Sequence, residues 1–399
     1  MIYLDCNATT PLEPEVLEKI HETLKYAWGN PSSSHEPGKK AKDVISWSRD
    51  RIAEMINGKA SEIVFTSGGT EANNLVFHTI VKSYHRNSKL KPHVISSDIE
   101  HDSVKLVLEK YRDQGDIDLS YVPIQISRGG VIDVDDVISC IRPNTCLISL
   151  MLANNEIGSI QPIFGISQQV RTHTPKRTAE NLKLAGLEKI LIHTDAAQAI
   201  GKIPVDVNNL AVDYLTIVGH KFYAPRIGAL YVRDLGETSS APLIPMFYGG
   251  GQERNFRPGT ENTGMIAGLG KAAELVTANI ENYSSHMRLV RNYLEKKLVD
   301  MFGRKNLHFN GKDRLPNTCN VSILSGLTGA EILSKCKLVQ ASVGAACHAQ
   351  NIPSHILWSI GISKDIASKA LRLSVGRHTS FEDIDRAVED IRQALANDT

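Results

Sequence analysis

The sequence predicts an α/β fold, a mostly parallel sheet wrapped by helices, followed by a smaller α+β unit. Three observations carry this expectation. From Glu13 to about Gly259, helical periods alternate with short apolar runs, the pattern of repeated β-α-β units. Those runs end in polar clusters, and in an open α/β sheet ligands sit outside the carboxyl ends of the strands. After Gly259 the texture changes to a long helical stretch, with Met287, Val290, Leu294 and Leu298 at helical spacing, then to shorter strand-like pieces. The final segment, with Ile384, Ala387, Val388, Ile391 and Leu395, has the amphipathic period of a closing helix.

Four runs position the chemistry. They are Ile63-Val64-Phe65 before Thr66 to Thr70, His93-Val94-Ile95 before the segment reaching His101, Leu191-Ile192 before His193-Thr194-Asp195, and Tyr214 to Val218 before His220-Lys221. The segment from Arg171 to Lys189 is charged and reads as a surface helix or insertion with no assigned role.

Composition narrows the function class. The chain has 399 residues, a length prior of two to three domains. Counting Gly in place of Tyr, the apolar share is roughly 47%, inside the globular band, so global disorder is excluded. Lys plus Arg at 45 against Asp plus Glu at 44 leaves a formal charge of +1, without the basic excess of a nucleic-acid binder. No run approaches the roughly 18 apolar residues of a membrane span, and Met1 to Asp5 does not begin a signal peptide. Six scattered cysteines with no C-x-x-C pair suggest neither a disulfide framework nor a metal site, and fit a reducing cytosol. Small-molecule ligands are the expectation.

At the ends of the four runs, residue types suited to one kind of chemistry gather. Lys221, fixed at a sheet end beside His220, is placed for desolvation and a lowered pKa, which favour a Schiff base with a carbonyl; a solvated loop lysine is the bland alternative. Asp195 ends another run. A pyridine cofactor is an electron sink only while its ring nitrogen is protonated, and an aspartate there keeps it so; the same residue equally fits an N-cap of the Ala-rich stretch after it. Gln198, about one turn on, either meets the cofactor's phenolic oxygen or faces solvent. In Thr66-Ser67-Gly68-Gly69-Thr70-Glu71, backbone amides freed by two glycines and a helix starting near Glu71 form a phosphate cradle, or an ordinary turn capped by Thr70. His101 is suited to stacking on a flat ring or moving protons, or is structural. Asn154-Asn155-Glu156 is ambiguous by itself. An amine, an acid, a phosphate cradle and a flat aromatic, all at strand ends, argue together.

These segments resemble the pyridoxal-phosphate enzymes of the class V aminotransferase fold, within it the NifS-like cysteine desulfurases and selenocysteine lyases. The resemblance covers nearly the whole chain: Asp5 to Pro11, Gly29 to Ser33, Phe65 to Asn74, Glu100-His101, Asn154 to Gly158, His193 to Gln198, Gly219 to Lys221, Gly249 to Thr260 and Leu371 to Arg377. The stretches DYLTIVGHKFYAPRIGALYV, GGGQERNFRPGTEN and ASVGAACHA are most similar to the selenocysteine lyase branch. It implies fold type I: a large domain over 13–259 with a mainly parallel seven-stranded sheet, and a small α+β domain from 1–12 and 260–399 carrying a catalytic cysteine loop.

Residue by residue, the resemblance implies that Lys221 holds pyridoxal 5'-phosphate covalently, with Asp195 at the ring nitrogen, Gln198 and Asn155 near the phenolic oxygen, and His101 stacked on the ring. Gly69, Thr70 and His220 would hold the phosphate. Thr260 would reach the phosphate of a neighbouring subunit, which implies a homodimer. Arg372 would clamp the substrate carboxylate; an arginine in the alternation Leu371 to Val375 needs an anionic partner if its strand is buried, which also admits a structural ion pair. Cys347, in a run of small residues beside His348, would be the nucleophile that takes selenium or sulfur. The implied reaction converts L-selenocysteine to L-alanine and releases reduced selenium, with a selenium-acceptor protein as a further partner. The alternatives are a cysteine desulfurase feeding iron-sulfur assembly or an inactive dimeric scaffold. Two positions depart from the family: Val218 stands where desulfurases usually carry a hydroxyl, and Cys6 where many carry Tyr. Cys6 is not expected to be catalytic.

Overall fold

The computed structural model describes every residue except 89, 125, 237–240, 345–353 and 397–399. Its strands are β1 (Ile2–Tyr3), β2 (Ile63–Thr66), β3 (His93–Ser97), β4 (Asp118–Val122), β5 (Thr145–Ser149), β6 (Leu191–Asp195), β7 (Tyr214–Val218), β8 (Gly228–Val232), β9 (Leu307–Phe309), β10 (Thr318–Ile323), β11 (Val339–Gln340) and β12 (Ala370–Ser374). The four apolar runs are β2, β3, β6 and β7. Every residue of these strands is buried, which is why they read as continuous apolar runs and not as alternating ones.

The large sheet has seven strands in the order β2-β8-β7-β6-β5-β3-β4. Only β8 runs against its neighbours β2 and β7; the other pairings are parallel. The carboxyl ends of β2, β3, β5, β6 and β7 therefore share one edge, which is the edge that gathers the polar clusters.

Two smaller sheets follow, β1-β11 and β12-β10-β9. They belong to a second apolar cluster containing Ile2, Leu4, Val321, Leu371, Leu373 and Ile391. The helix Thr263–Phe302 joins the two cores: Ile266, Leu269 and Val276 pack in the first, Met287 to Leu298 in the second. Forty residues at 1.5 Å each make a rod of about 60 Å.

The charged stretch 171–189 has a definite anchor. Asp213, fully buried, accepts from Arg171 Nη2 at 2.8 Å, pairs with Lys189 Nζ at 2.7 Å and accepts the Ile192 amide at 2.9 Å. The helix Lys176–Leu184 between them buries Thr178 and Leu182.

The loop 249–262 is pinned against β2. Glu253, Arg254 and Asn255 all adopt left-handed φ values of 47°, 58° and 71°, a conformation costly for side-chain-bearing residues that surrounding contacts must hold. The buried Glu253 carboxylate supplies them, accepting from both Arg49 terminal nitrogens and from the Phe65 amide at 2.8 Å. Glu253→Ala is expected to cost about 3–5 kcal/mol, because it strands the Arg49 charge. Urea unfolding read by circular dichroism measures this, and a loss below about 1 kcal/mol would contradict it.

Candidate active site

Lys221 ends the short turn Gly219–Lys221 directly after β7. Gly219 is required there, since a Cβ would lie 2.4 Å from the Pro225 carbonyl oxygen. The Lys221 amine donates to the backbone oxygens of Asn7 at 2.7 Å and Ala8 at 2.8 Å. Asn7 is itself fixed: its side-chain amide donates to Thr318 Oγ1 at 2.9 Å and accepts from Asn317 at 2.9 Å. The amine thus meets backbone from the far beginning of the chain.

Asp195 closes β6, 7% exposed. Oδ1 accepts from the Ala197 amide at 2.9 Å and Oδ2 from Asn73 Nδ2 at 2.9 Å. The Ala-rich stretch after it forms successive turns, not a helix, so Asp195 caps a turn there. Gln198 in those turns donates from Nε2 to the Asn7 oxygen at 3.0 Å.

The helix after β2 begins at Gly69, not near Glu71, so Thr70 lies in its first turn and is not its cap. A Cβ on Gly69 would sit 2.5 Å from Val218 Cγ2. Val218 therefore covers that glycine with a methyl group, leaving the helix's first amides as the local donors for a phosphate. His101 caps the helix Asp102–Asp113, with Nδ1 accepting the Ser103 amide at 3.1 Å. His220 Nδ1 lies 3.1 Å from Thr9 Oγ1. Burial, then the charges of Lys221 and Arg226, push its ring down to about 4, so it is neutral beside the lysine.

Arg372 on β12 is 1% exposed. It does make the structural ion pair, Nη2 to Asp5 Oδ1 at 2.7 Å, and Nη1 donates to the Asn155 oxygen at 3.1 Å. Among the described residues its Nε is buried without a hydrogen-bond partner, as is Asn155 Oδ1. A guanidinium has five N–H donors, so the pair with Asp5 does not exhaust it.

These groups share one cavity of about 340 Å³, lined among others by Gly69, Thr70, His101, Asn155, Asp195, Gln198, His220, Lys221 and Arg372. Its size is that of a small-ligand site. The residues fit a flat phosphorylated aldehyde: an amine, an acid, two unpartnered buried polar atoms and an open helix start. Thr260 does not line this cavity; it is exposed beside Ser67 and Arg257. Cys347 lies outside the described residues. Gly344 and Ser354, on either side of that stretch, both meet Glu156: Ser354 Oγ donates to Glu156 Oε2, and a Cβ on Gly344 would be 3.3 Å from it.

Several contributors carried no signal at a strand end. Asn73, fully buried, joins Asp195 to Ser103 Oγ at 2.9 Å, and Ser103 Oγ lies 2.8 Å from His101 Nδ1, so one amide ties two cavity groups. Thr216 Oγ1 donates to Asn73 Oδ1 at 2.7 Å and lies 3.1 Å from His193 Nε2. Asn73 and Asn7 stood within quoted motifs, but only their three-dimensional partners give them roles. Cys6 is buried, and burial raises its thiol to about 11, opposed by a hydrogen bond from Tyr223, so it carries no thiolate at neutral pH.

Glu100 is buried as well. Its Oε1 accepts from Ser97 Oγ at 2.5 Å and the Met151 amide at 3.1 Å, Oε2 has no hydrogen-bond partner among the described residues, and burial raises the carboxyl to about 8. A pKa raised on folding means that stability is fully present below the ordinary carboxyl value and is lost as pH climbs toward 8. Glu100→Gln is expected to match the parent near pH 4.5 and exceed it by roughly 4 kcal/mol at pH 8. Parallel stability curves for the two proteins across that window, from urea melts, would refute it.

The aminotransferase class-V family model matches residues 2–387. The selenocysteine lyase of Homo sapiens is 52% identical over 416 residues, covering 99% of this chain and 92% of that protein. The cysteine desulfurase IscS of Dictyoglomus turgidum is 36% identical over 402 residues, covering 99% of this chain and 94% of its own. Among solved structures, a NifS-like protein superimposes with a TM-score of 0.85 at 30% identity, covering 99% of both chains.

Proposed function

From the premise that the chain belongs to the class-V aminotransferase family, we propose that it is a pyridoxal-phosphate-dependent selenocysteine lyase, converting L-selenocysteine to L-alanine with release of reduced selenium. The observation that carries this reading is the convergence of Lys221, Asp195 and Arg372 on one cavity, in a chain 52% identical throughout to a selenocysteine lyase. Relatives named cysteine desulfurase stand further off, at 36–38% identity.

Lys221, Asp195, His101, Asn155 and Gln198 would hold the ring of the cofactor, and Gly69, Thr70 and His220 its phosphate. Bound there, pyridoxal phosphate supplies the electron sink that acidifies the α-proton of an amino acid. Lys221 takes that proton and returns one, acting as base and then acid. Asp195 would meet the ring nitrogen and keep it protonated. Arg372 orients the substrate carboxylate with the donors its pair with Asp5 leaves over. A selenol is more acidic than a thiol, so the substrate enters as a selenolate. Cys347 takes the selenium: its sulfur bonds to selenium as the carbon–selenium bond breaks, the bonding electrons go to carbon, and a proton completes alanine; two equivalents of an external thiol then reduce the Cys347 selenopersulfide, freeing selenide and the cysteine and leaving a disulfide.

We also assign a homodimer and a cytosolic location to this reading, with 13–259 as the large domain and 1–12 with 260–399 as the small one. Exposed Tyr26, Trp28 and Tyr248 support a second copy, since such side chains are enriched in interfaces. Among the described residues no helix is long and apolar enough to cross a membrane. Alanine release from L-selenocysteine and L-cysteine under identical conditions tests the assignment; faster turnover of cysteine makes the chain a desulfurase, and no turnover of either, with no bound cofactor, a scaffold.

A further inference from the structure

Lys202 is 3% exposed and makes no ion pair among the described residues. A buried amine without a carboxylate is expensive, and here the nearest charges make it worse. Burial first, then the charges of Lys221, Arg372 and Arg377, push it down to about 7. A methionine would fill the same space without that cost.

Among the described residues, its hydrogen bonds go to a single partner. Nζ donates to Gln198 Oε1 at 2.8 Å and to the Gln198 backbone oxygen at 3.0 Å. A carboxamide has two different faces, one accepting and one donating, and Nζ donates to the accepting one, as the charged form, which can only donate, requires. With Oε1 committed to Lys202, Nε2 must face the other way. One of its hydrogens goes to the Asn7 oxygen at 3.0 Å, the same oxygen that receives the Lys221 amine, and the second is left for the cavity that Gln198 lines. Reversed, the amide would present an oxygen to the Asn7 oxygen and to any anion in the cavity.

We propose that Lys202 is a positioning residue that sets which way round the Gln198 amide sits, so that the cavity presents an N–H donor to the phenolic oxygen of the cofactor. The inference rests on the pyridoxal-phosphate reading above. Lys202 touches neither cofactor nor substrate; it acts through Gln198.

The test compares the purified full-length protein with Lys202→Met, Gln198→Ala and the double variant. Each is stripped of cofactor and titrated with pyridoxal phosphate, and the visible band of the bound cofactor is followed against pH. Lys202→Met is expected to bind pyridoxal phosphate about tenfold more weakly and to shift the band's midpoint up by about one pH unit, with thermal stability unchanged or higher. Gln198→Ala is expected to shift it likewise, and Lys202→Met to add nothing in that background. An unchanged band and affinity in Lys202→Met overturn the proposal, and so do additive effects, which would mean that the charge acts across space. Wild-type protein that takes up no pyridoxal phosphate overturns the functional reading and this inference together. Independently of whether Lys202→Met folds, neutron diffraction of the wild-type crystal is expected to place the Gln198 amide deuterons toward Asn7; deuterons facing Lys202 overturn the proposal.

Discussion

Lys221→Ala is expected to abolish alanine release from L-selenocysteine, by on the order of 10⁴-fold or more, and to remove the visible band that borohydride erases in the parent. Under the proposed function two roles would vanish with one side chain: the covalent seat for an aldehyde and the base that moves the α-proton. The fold should survive. The lysine lines a cavity and is not a core filler, and the Asn7 oxygen it leaves still receives Gln198 at 3.0 Å. A variant that keeps the borohydride-sensitive band would mean that another amine carries the cofactor. Unchanged circular dichroism with lost colour is the expected pairing.

Asp195→Asn is expected to lower kcat by on the order of 10³-fold, read as the rate of alanine release from L-selenocysteine. The substitution keeps the shape but exchanges an anion for an amide, which cannot hold a proton on a ring nitrogen. It also creates a local conflict, because the Asn73 side chain presents N–H to Oδ2 at 2.9 Å and the Ala197 amide presents N–H to Oδ1. One side of the new carboxamide must bring a donor against a donor. Cofactor binding should weaken less than turnover, since Lys221 and the helix start remain. Activity within tenfold of the parent would show that the acid at β6 serves the fold and not the chemistry.

The large sheet was legible because burial on both faces makes its strands uninterrupted apolar words, and because the residues after them are polar for a chemical reason. Lys221, Asp195 and Gln198 were found in that way. Asn7, Asn73 and Lys202 were not, since each earns its place only through a partner distant in sequence or one turn away on an irregular segment. The start of the helix at Gly69 was misplaced by two residues because Gly68 and Gly69 look like turn residues, yet the second glycine is dictated by the approach of Val218. For Arg372 the expected alternative, an ion pair, and a place in the cavity lining coexist in one guanidinium, which no local pattern could reveal.

The path of residues 2–10 has an outcome for biogenesis. Ile2 and Tyr3 pair with Val339 and Gln340, Leu4 receives the Ser374 amide at 2.7 Å, and Asn7 and Ala8 then supply the two oxygens that seat Lys221. Residues 2–8 must therefore wait for the strands at 339–340 and 370–374, and pairings of such long sequence separation form slowly. On the ribosome, the large sheet can assemble while the lysine's seat is still missing, so the two oxygens that receive the Lys221 amine are fixed only in a later step, once those strands have joined residues 2–8.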